Sequence, residues 1–166
     1  YFLASRNFQL PEVKLIIDAI QSADFITPKK TQELIEKIGS LVSEDQFEML
    51  KSQLSISNRV KTMNEEIFYT IDVLNRAIEE KKQVSFNYVR HKIEAGKKIV
   101  MASREFVVNP YALVWSNDHY YLICNYEKYD NLMHLRLDRM KKAVISDDAA
   151  RDFREVSEYK TGFDVA

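Results

Sequence analysis

The chain has 166 residues, 46% apolar and 30% charged, with three Gly, three Pro and one Cys; this excludes wholesale disorder, a collagen-like repeat and a disulfide-stapled scaffold. No apolar run approaches the roughly 20 residues that a membrane-spanning helix needs, and no basic leader precedes an apolar segment, so the sequence reads as cytoplasmic with no membrane association. The net charge of −1 hides a segregation: residues 1–81 carry 10 Lys and Arg against 13 Asp and Glu, residues 82–146 carry 11 against 6, and residues 147–166 carry 3 against 6.

Residues 1–81 read as helices. In LPEVKLIIDAIQSA, Val13, Ile16, Ile17 and Ile20 recur at helical spacing, Pro11 suits the first helical turn, and Asp24 helps to close it. Thr27-Pro28 repeats the start signal, and Leu34, Ile35, Ile38 and Leu41 form the next apolar stripe. Ser43 with Gln46 makes a capping box for a third helix presenting Phe47, Leu50 and Leu54. Beyond the polar stretch SISNRVKTMN, Asn64 is the expected cap of a longer helix whose Ile67, Ile71, Leu74 and Ile78 share a face, widened by Phe68 and Tyr69.

From Gln83 the period changes to two. QVSFNYVR alternates Val84, Phe86 and Tyr88 against Ser85, Asn87 and Val89. HKIEAGKK is expected as a loop or a long hairpin connection, and REFVVNPYALVWSN as a strand that Pro110 bends or places at an edge, because proline has no N–H for the ladder. Asn117-Asp118 and Asp130-Asn131 are turns on either side of HYYLICNYEK; LMHLRL and KKAVIS complete five strands in an antiparallel meander, expected to curl into a small barrel. SDDAARDF reads as the start of a helix capped by Ser146 or Asp147. Both ends of the sequence stop abruptly, as in a fragment of a longer protein.

Most chemistries find little support in these residues. Gly39, Gly96 and Gly162 are too dispersed for a dinucleotide fingerprint, and His91 stands where a P-loop ending in Gly96-Lys97 needs its first glycine. His91, His119 and His134 lack metal-ligand spacing, so no metal or cofactor is expected. No nucleophile elbow surrounds Ser85 or Cys124, and the chain is read as a non-enzyme. Cys124, inside LICNY, is expected to be a buried small hydrophobe in a reducing compartment.

The positive signal is the basic, aromatic sheet. Tyr88, Tyr111, Tyr120, Tyr121, Tyr126 and Tyr129 lie among Arg90, Lys92, Arg104, Arg136, Arg139, Lys141 and Lys142. Aromatic faces stack on bases and guanidinium forks grip phosphates, so such a sheet suits single-stranded nucleic acid or a nucleotide. Two plainer readings stand beside it: tyrosines packing half-buried sheet faces, and Arg136 held by Asp138 in a structural clamp.

The block NPYALVWSNDHYYLICNYEKYDNLMHLRLDRMKKAVI resembles the WYL domain of bacterial transcriptional regulators, with a Pro-aromatic segment, an aromatic-Tyr-Leu triplet after a turn, and an Arg-x-Leu-Asp-Arg run. Tyr120-Tyr121-Leu122 stand at the triplet, Tyr120 taking the place of its Trp, which keeps an aromatic body and changes its hydrogen-bonding end. The resemblance implies an α+β chain: a helical linker or dimerisation segment over residues 1–81, a five-stranded antiparallel Sm-like β-barrel over 82–146, and the start of a truncated C-terminal extension over 147–166. It implies a regulatory core that binds a nucleic acid or nucleotide effector and passes the signal to a missing N-terminal winged helix-turn-helix, the only route to operator DNA, within a homodimer. Tyr88, Tyr111, Tyr120, Tyr121, His134, Arg136 and Arg139 form the ligand-binding set implied by this match. The alternative is a protein-protein interaction or oligomerisation module without a small ligand.

Overall fold

The computed structural model describes residues 8–53, 60–94 and 98–156, excluding the side chains of 91–94 and 98–101. The chain forms two compact units, Tyr1–Met63 and Asn64–Ala166.

The first unit contains α1 (Leu10–Ser22), α2 (Pro28–Gly39) and α3 (Glu44–Ser52). Its start signals act as the sequence implies: Lys30 N donates to Thr27 Oγ1 at 3.2 Å, and the Ser43–Gln46 capping box forms. Gln9 and Glu12 form a second box at α1. Val13 and Ile17 of α1 pack with Ile35, Phe47 and Leu50. Gly39 is required there, since a Cβ would run into the Phe47 ring. Leu41 falls beyond the end of α2 and is exposed, contrary to its place in the expected stripe; Leu54 lies outside the described residues. The link after α3 is tied down where Thr62 N donates to Asp24 O at 2.9 Å.

The second unit packs α4 (Ile67–Glu79) on five antiparallel strands: β1 (Lys82–Glu94), β2 (Lys98–Ser116), β3 (His119–Asn125), β4 (Leu132–Arg136) and β5 (Met140–Ala149). Val73, Leu74 and Ala77 of α4 meet Val84, Phe86, Val108, Leu122 and Met140 in one core. Ile67 is buried as expected and Ile71 and Ile78 are half-buried, whereas Phe68 and Tyr69 remain exposed rather than widening the buried face. Asn64 is not the N-cap, which is Glu66; it accepts from Glu66 N at 3.0 Å from two residues upstream.

Strand order is β4-β3-β2-β1-β5, so the expected barrel is an open sheet with β4 and β5 as its edges. The cause is local: β4 runs into a 3-10 turn, Leu137–Arg139, instead of a hairpin, and no ladder joins β4 to β5 among the described residues. The sheet is nevertheless curled. Four strand spacings would set flat edges ~19 Å apart, whereas the four Cα steps from Arg136 to Met140 reach at most ~15 Å.

β1 and β2 pair through to Glu94↔Lys98, so most of the expected loop is strand. Beyond Val108, β2 leaves β1 and pairs with β3, and the bulge between Pro110 and Ala112 falls in this one-sided stretch, where the missing proline donor costs no second ladder. Asn117 and Asp118 have φ of 48° and 60°, as a two-residue type I′ hairpin requires. The helix expected after Ser146 is instead a continuation of β5 to Ala149, followed by a 3-10 turn at Phe153–Glu155. Asp147 and Asp148 interrupt the apolar period that a helix would need to bury.

A chain of buried amides crosses one end of the sheet: Gln83 Nε2 donates to Asn109 Oδ1 at 3.0 Å, and Asn109 Nδ2 to Asn125 Oδ1 at 3.3 Å. Asn125 Nδ2 then donates to the carbonyls of Tyr129 and Asn131, while Arg151 N donates to Asn109 Oδ1 at 3.0 Å. Asn109→Ala leaves several buried groups unpaired and is expected to cost about 3 kcal/mol, measured as a lowered urea midpoint at unchanged m; a loss below about 0.5 kcal/mol would show the chain to be incidental.

Burial pushes the Cys124 thiol up to about 12. The unfolded chain therefore releases this proton first, and stability should fall by at most ~1.4 kcal/mol per pH unit above the ordinary thiol value of about 8.5. A disulfide reagent at mildly alkaline pH should label Cys124 only as fast as the chain unfolds; immediate labelling would contradict this burial.

Candidate anion site

The site is built around the link between the two sheet edges. Arg136 ends β4, and its guanidinium forks onto Asp138, Nε to Oδ1 at 3.0 Å and Nη2 to Oδ2 at 2.7 Å. The pair is largely sheltered, at 27% and 13% side-chain exposure, and Asp138 raises the guanidinium pKa further through this hydrogen bond. The structural clamp is thus real. It consumes two of five N–H donors and fixes the plane of the rest.

Two tyrosines flank the fork. Tyr88 is buried in the core, edge-on to Phe86 and Phe106, and its hydroxyl accepts from Arg136 N at 3.3 Å. Tyr121 lies directly across from Arg136 in the β3–β4 pairing and is half-buried. His134 is exposed two residues before Arg136, and the two-residue period of β4 puts it on the same face. Arg139 closes the 3-10 turn, half-buried, without an ion pair or hydrogen bond from its guanidinium among the described residues. Exposed Arg90 and Arg104 lie over the Tyr88 and Phe106 rings at 5.9 and 5.4 Å.

The remaining residues of the expected set are elsewhere. Tyr120 alternates to the opposite face from Tyr121, packing against the core and edge-on to Trp115 at 5.0 Å. Tyr111 lies on β2 near its bulge, edge-on to Phe153, and burial pushes its phenol up to about 12. Tyr88, Tyr121, His134, Arg136 and Arg139 therefore gather around one turn, and Tyr111 and Tyr120 do not join them.

Two residues that hold the turn, Asn64 and Glu66, carried no such signal in the sequence. Asn64 Nδ2 donates to the carbonyls of Asp138 at 3.1 Å and Met140 at 2.7 Å. Glu66 Oε2 accepts from Lys142 N at 2.6 Å, where Lys142 has φ 54° in a bulge of β5. Asp138 was legible as a clamp, whereas the contacts of Asn64 and Glu66, just before α4, cross more than 70 residues of sequence.

Charge decides what the turn can do. Arg136 and Asp138 together are nearly neutral to an approaching ligand, so Arg136 contributes direction and Arg139 the uncompensated charge. Among the described residues no three His, Cys, Asp or Glu side chains gather as a metal site, and no described helix is long and apolar enough to cross a membrane.

No curated protein matches the chain. Among solved structures it is similar to proteasome accessory factor B/C (PafBC) of Arthrobacter aurescens, with a TM-score of 0.42 and 15% identity over 95% of this chain and 22% of that one. The chain thus spans about a fifth of the length of that protein. The sequence model of the WYL domain matches residues 69–145, from the first turns of α4 to β5, and the chain therefore contains a WYL domain.

Proposed function

We propose that this chain is the effector-sensing core of a transcriptional regulator, with no catalytic activity of its own. Its ligand is an oligonucleotide or a nucleotide-like anion. The observation that carries this reading is the turn itself, where the directed guanidinium of Arg136 lies beside Tyr121 and Tyr88 and Arg139 follows three residues later. Phosphate oxygens suit the open donors of Arg136 and the charge of Arg139, and the exposed part of Tyr121 offers a stacking surface. The curl of the sheet supports an Sm-like reading of the unit, with the ligand at the link between its edges.

In this reading the signal leaves through Asn64 and Glu66, which hold the backbone of the turn and lead into α4. A ligand that binds two arrangements of that turn unequally shifts their populations. The receiver is a DNA-reading domain outside this sequence, and the working form is a homodimer, matching the two-fold symmetry common in operators. The interaction-module alternative draws on exposed Phe68 and Tyr69 of α4, at 39% and 57%.

Fluorescence anisotropy with a labelled short single-stranded DNA, titrated at several salt concentrations, tests the reading. Binding should weaken with salt, and Arg139→Ala should weaken it about tenfold and lower the salt slope by about one. Arg136→Ala should cost more, because it also leaves the Asp138 carboxylate unpaired. Equal affinity in both variants, or no binding at low salt while a protein partner is retained, would favour the interaction module.

A further inference from the structure

A cavity of about 370 Å³ opens at the C-terminal end of α4, between the β2 bulge and the chain leaving β5. Its volume falls within the roughly 300–1,000 Å³ of small-molecule pockets. It is separate from the arginine turn: Asn64 and Glu66 hold that turn at the N-terminal end of α4, and Ile67 to Ile78 spans about 17 Å of helix.

Ile78, Pro110, Tyr111 and Phe153 supply an apolar and aromatic lining, all of it buried or half-buried. Lys81 and Arg154 stand at its exposed margin, and neither side chain has an ion pair among the described residues. Arg151 also lines the cavity, but Asp130 at 2.9 Å and Glu155 at 3.4 Å offset its charge. Asp152 is the sole carboxylate of the lining, and its Oδ1 already accepts from Arg154 N at 2.9 Å. Lys81 and Arg154 thus stand as two cations without an ion pair against the one carboxylate of the lining, beside an aromatic floor. The Tyr111 phenol is neutral and adds no negative charge.

We propose that this cavity is a second ligand site, for a small aromatic carboxylate whose ring lies against Tyr111 and Phe153 and whose carboxylate faces Lys81 and Arg154. An aromatic ring there completes an edge-to-face arrangement already present, since Tyr111 and Phe153 meet at 6.3 Å and 69°. The carboxylate stays at the margin, where two cations meet it without the cost of burying its charge. The site takes a single ring with an acid group and does not depend on what binds at Arg136.

The test is a titration of the isotopically labelled 166-residue chain with 3-phenylpropanoate and with its neutral amide, 3-phenylpropanamide, followed by amide chemical shifts. The acid should give saturable shifts at Lys81, Tyr111 and Phe153, and the neutral amide should bind at least about tenfold more weakly. The Lys81→Gln/Arg154→Gln pair, both at exposed positions, should bring the acid down to the affinity of the amide. Absence of saturation at millimolar acid, equal binding of the two probes, or shifts centred on Leu137–Arg139 would overturn the proposal.

Discussion

The second unit depends on one short link. β4 and β5 are opposite edges of a five-stranded sheet, yet only the Leu137–Arg139 turn separates them, so the sheet must curl for the chain to connect. Two sets of contacts hold that turn. From the ligand side the Arg136–Asp138 fork fixes its side chains, and from the helix side Asn64 binds its carbonyls. Buried Leu137 anchors it in the core between them. The same few residues therefore give the sheet its shape, present Arg139 with its charge uncompensated, and attach the site to α4.

The two ends of the unit are stabilised by different means. At the arginine turn, the buried Asn64 amide holds backbone carbonyls from one side and a charged, partly exposed fork closes the other, where a competing anion can enter. At the other end, Gln83, Asn109 and Asn125 form a sequestered chain of neutral amides that ties β1, β2 and β3 to the 126–131 turn and to Arg151. Neutral buried amides leave little for an ion to compete with, so this end is suited to act as a fixed frame. The cavity lies toward that frame, walled by Arg151 and its neighbours.

Much of this was legible in the sequence where the controlling physics is local. Thr27, Ser43 and the Asn117-Asp118 turn act through bonds or dihedrals within a few residues, and Val84, Phe86 and Tyr88 alternate into the core as period two requires. The proline bend followed from a missing donor. Expectations failed where distant partners decide. Asn64 resembles a cap by position, but its amide is used 76 residues away at Met140, and the segment after Ser146 extends β5 because β1 offers it a ladder. The open sheet turned on Leu137–Arg139: the sequence places Leu137 in the fourth strand with a turn before KKAVIS, and the structure makes that turn a 3-10 turn rather than a hairpin. In the candidate site, the pairing of Arg136 with Asp138 was readable from their i, i+2 spacing and the separation of Tyr120 from Tyr121 from strand alternation, whereas the placement of Tyr111 required the register of β2 against β3 and the bulge at Pro110.

The fork at the turn and its attachment to α4 form one connected device. Amide hydrogen exchange in the Asp138→Ala chain measures this most directly, because the variant removes the carboxylate and keeps the backbone that Asn64 binds. Exchange should be at least about tenfold faster at Glu66 N, which donates to Asn64, and at Lys142 N, which donates to Glu66, with Val108 and Leu122 in the core unchanged. Unaltered exchange at Glu66 and Lys142 would contradict it and leave the fork a local clamp.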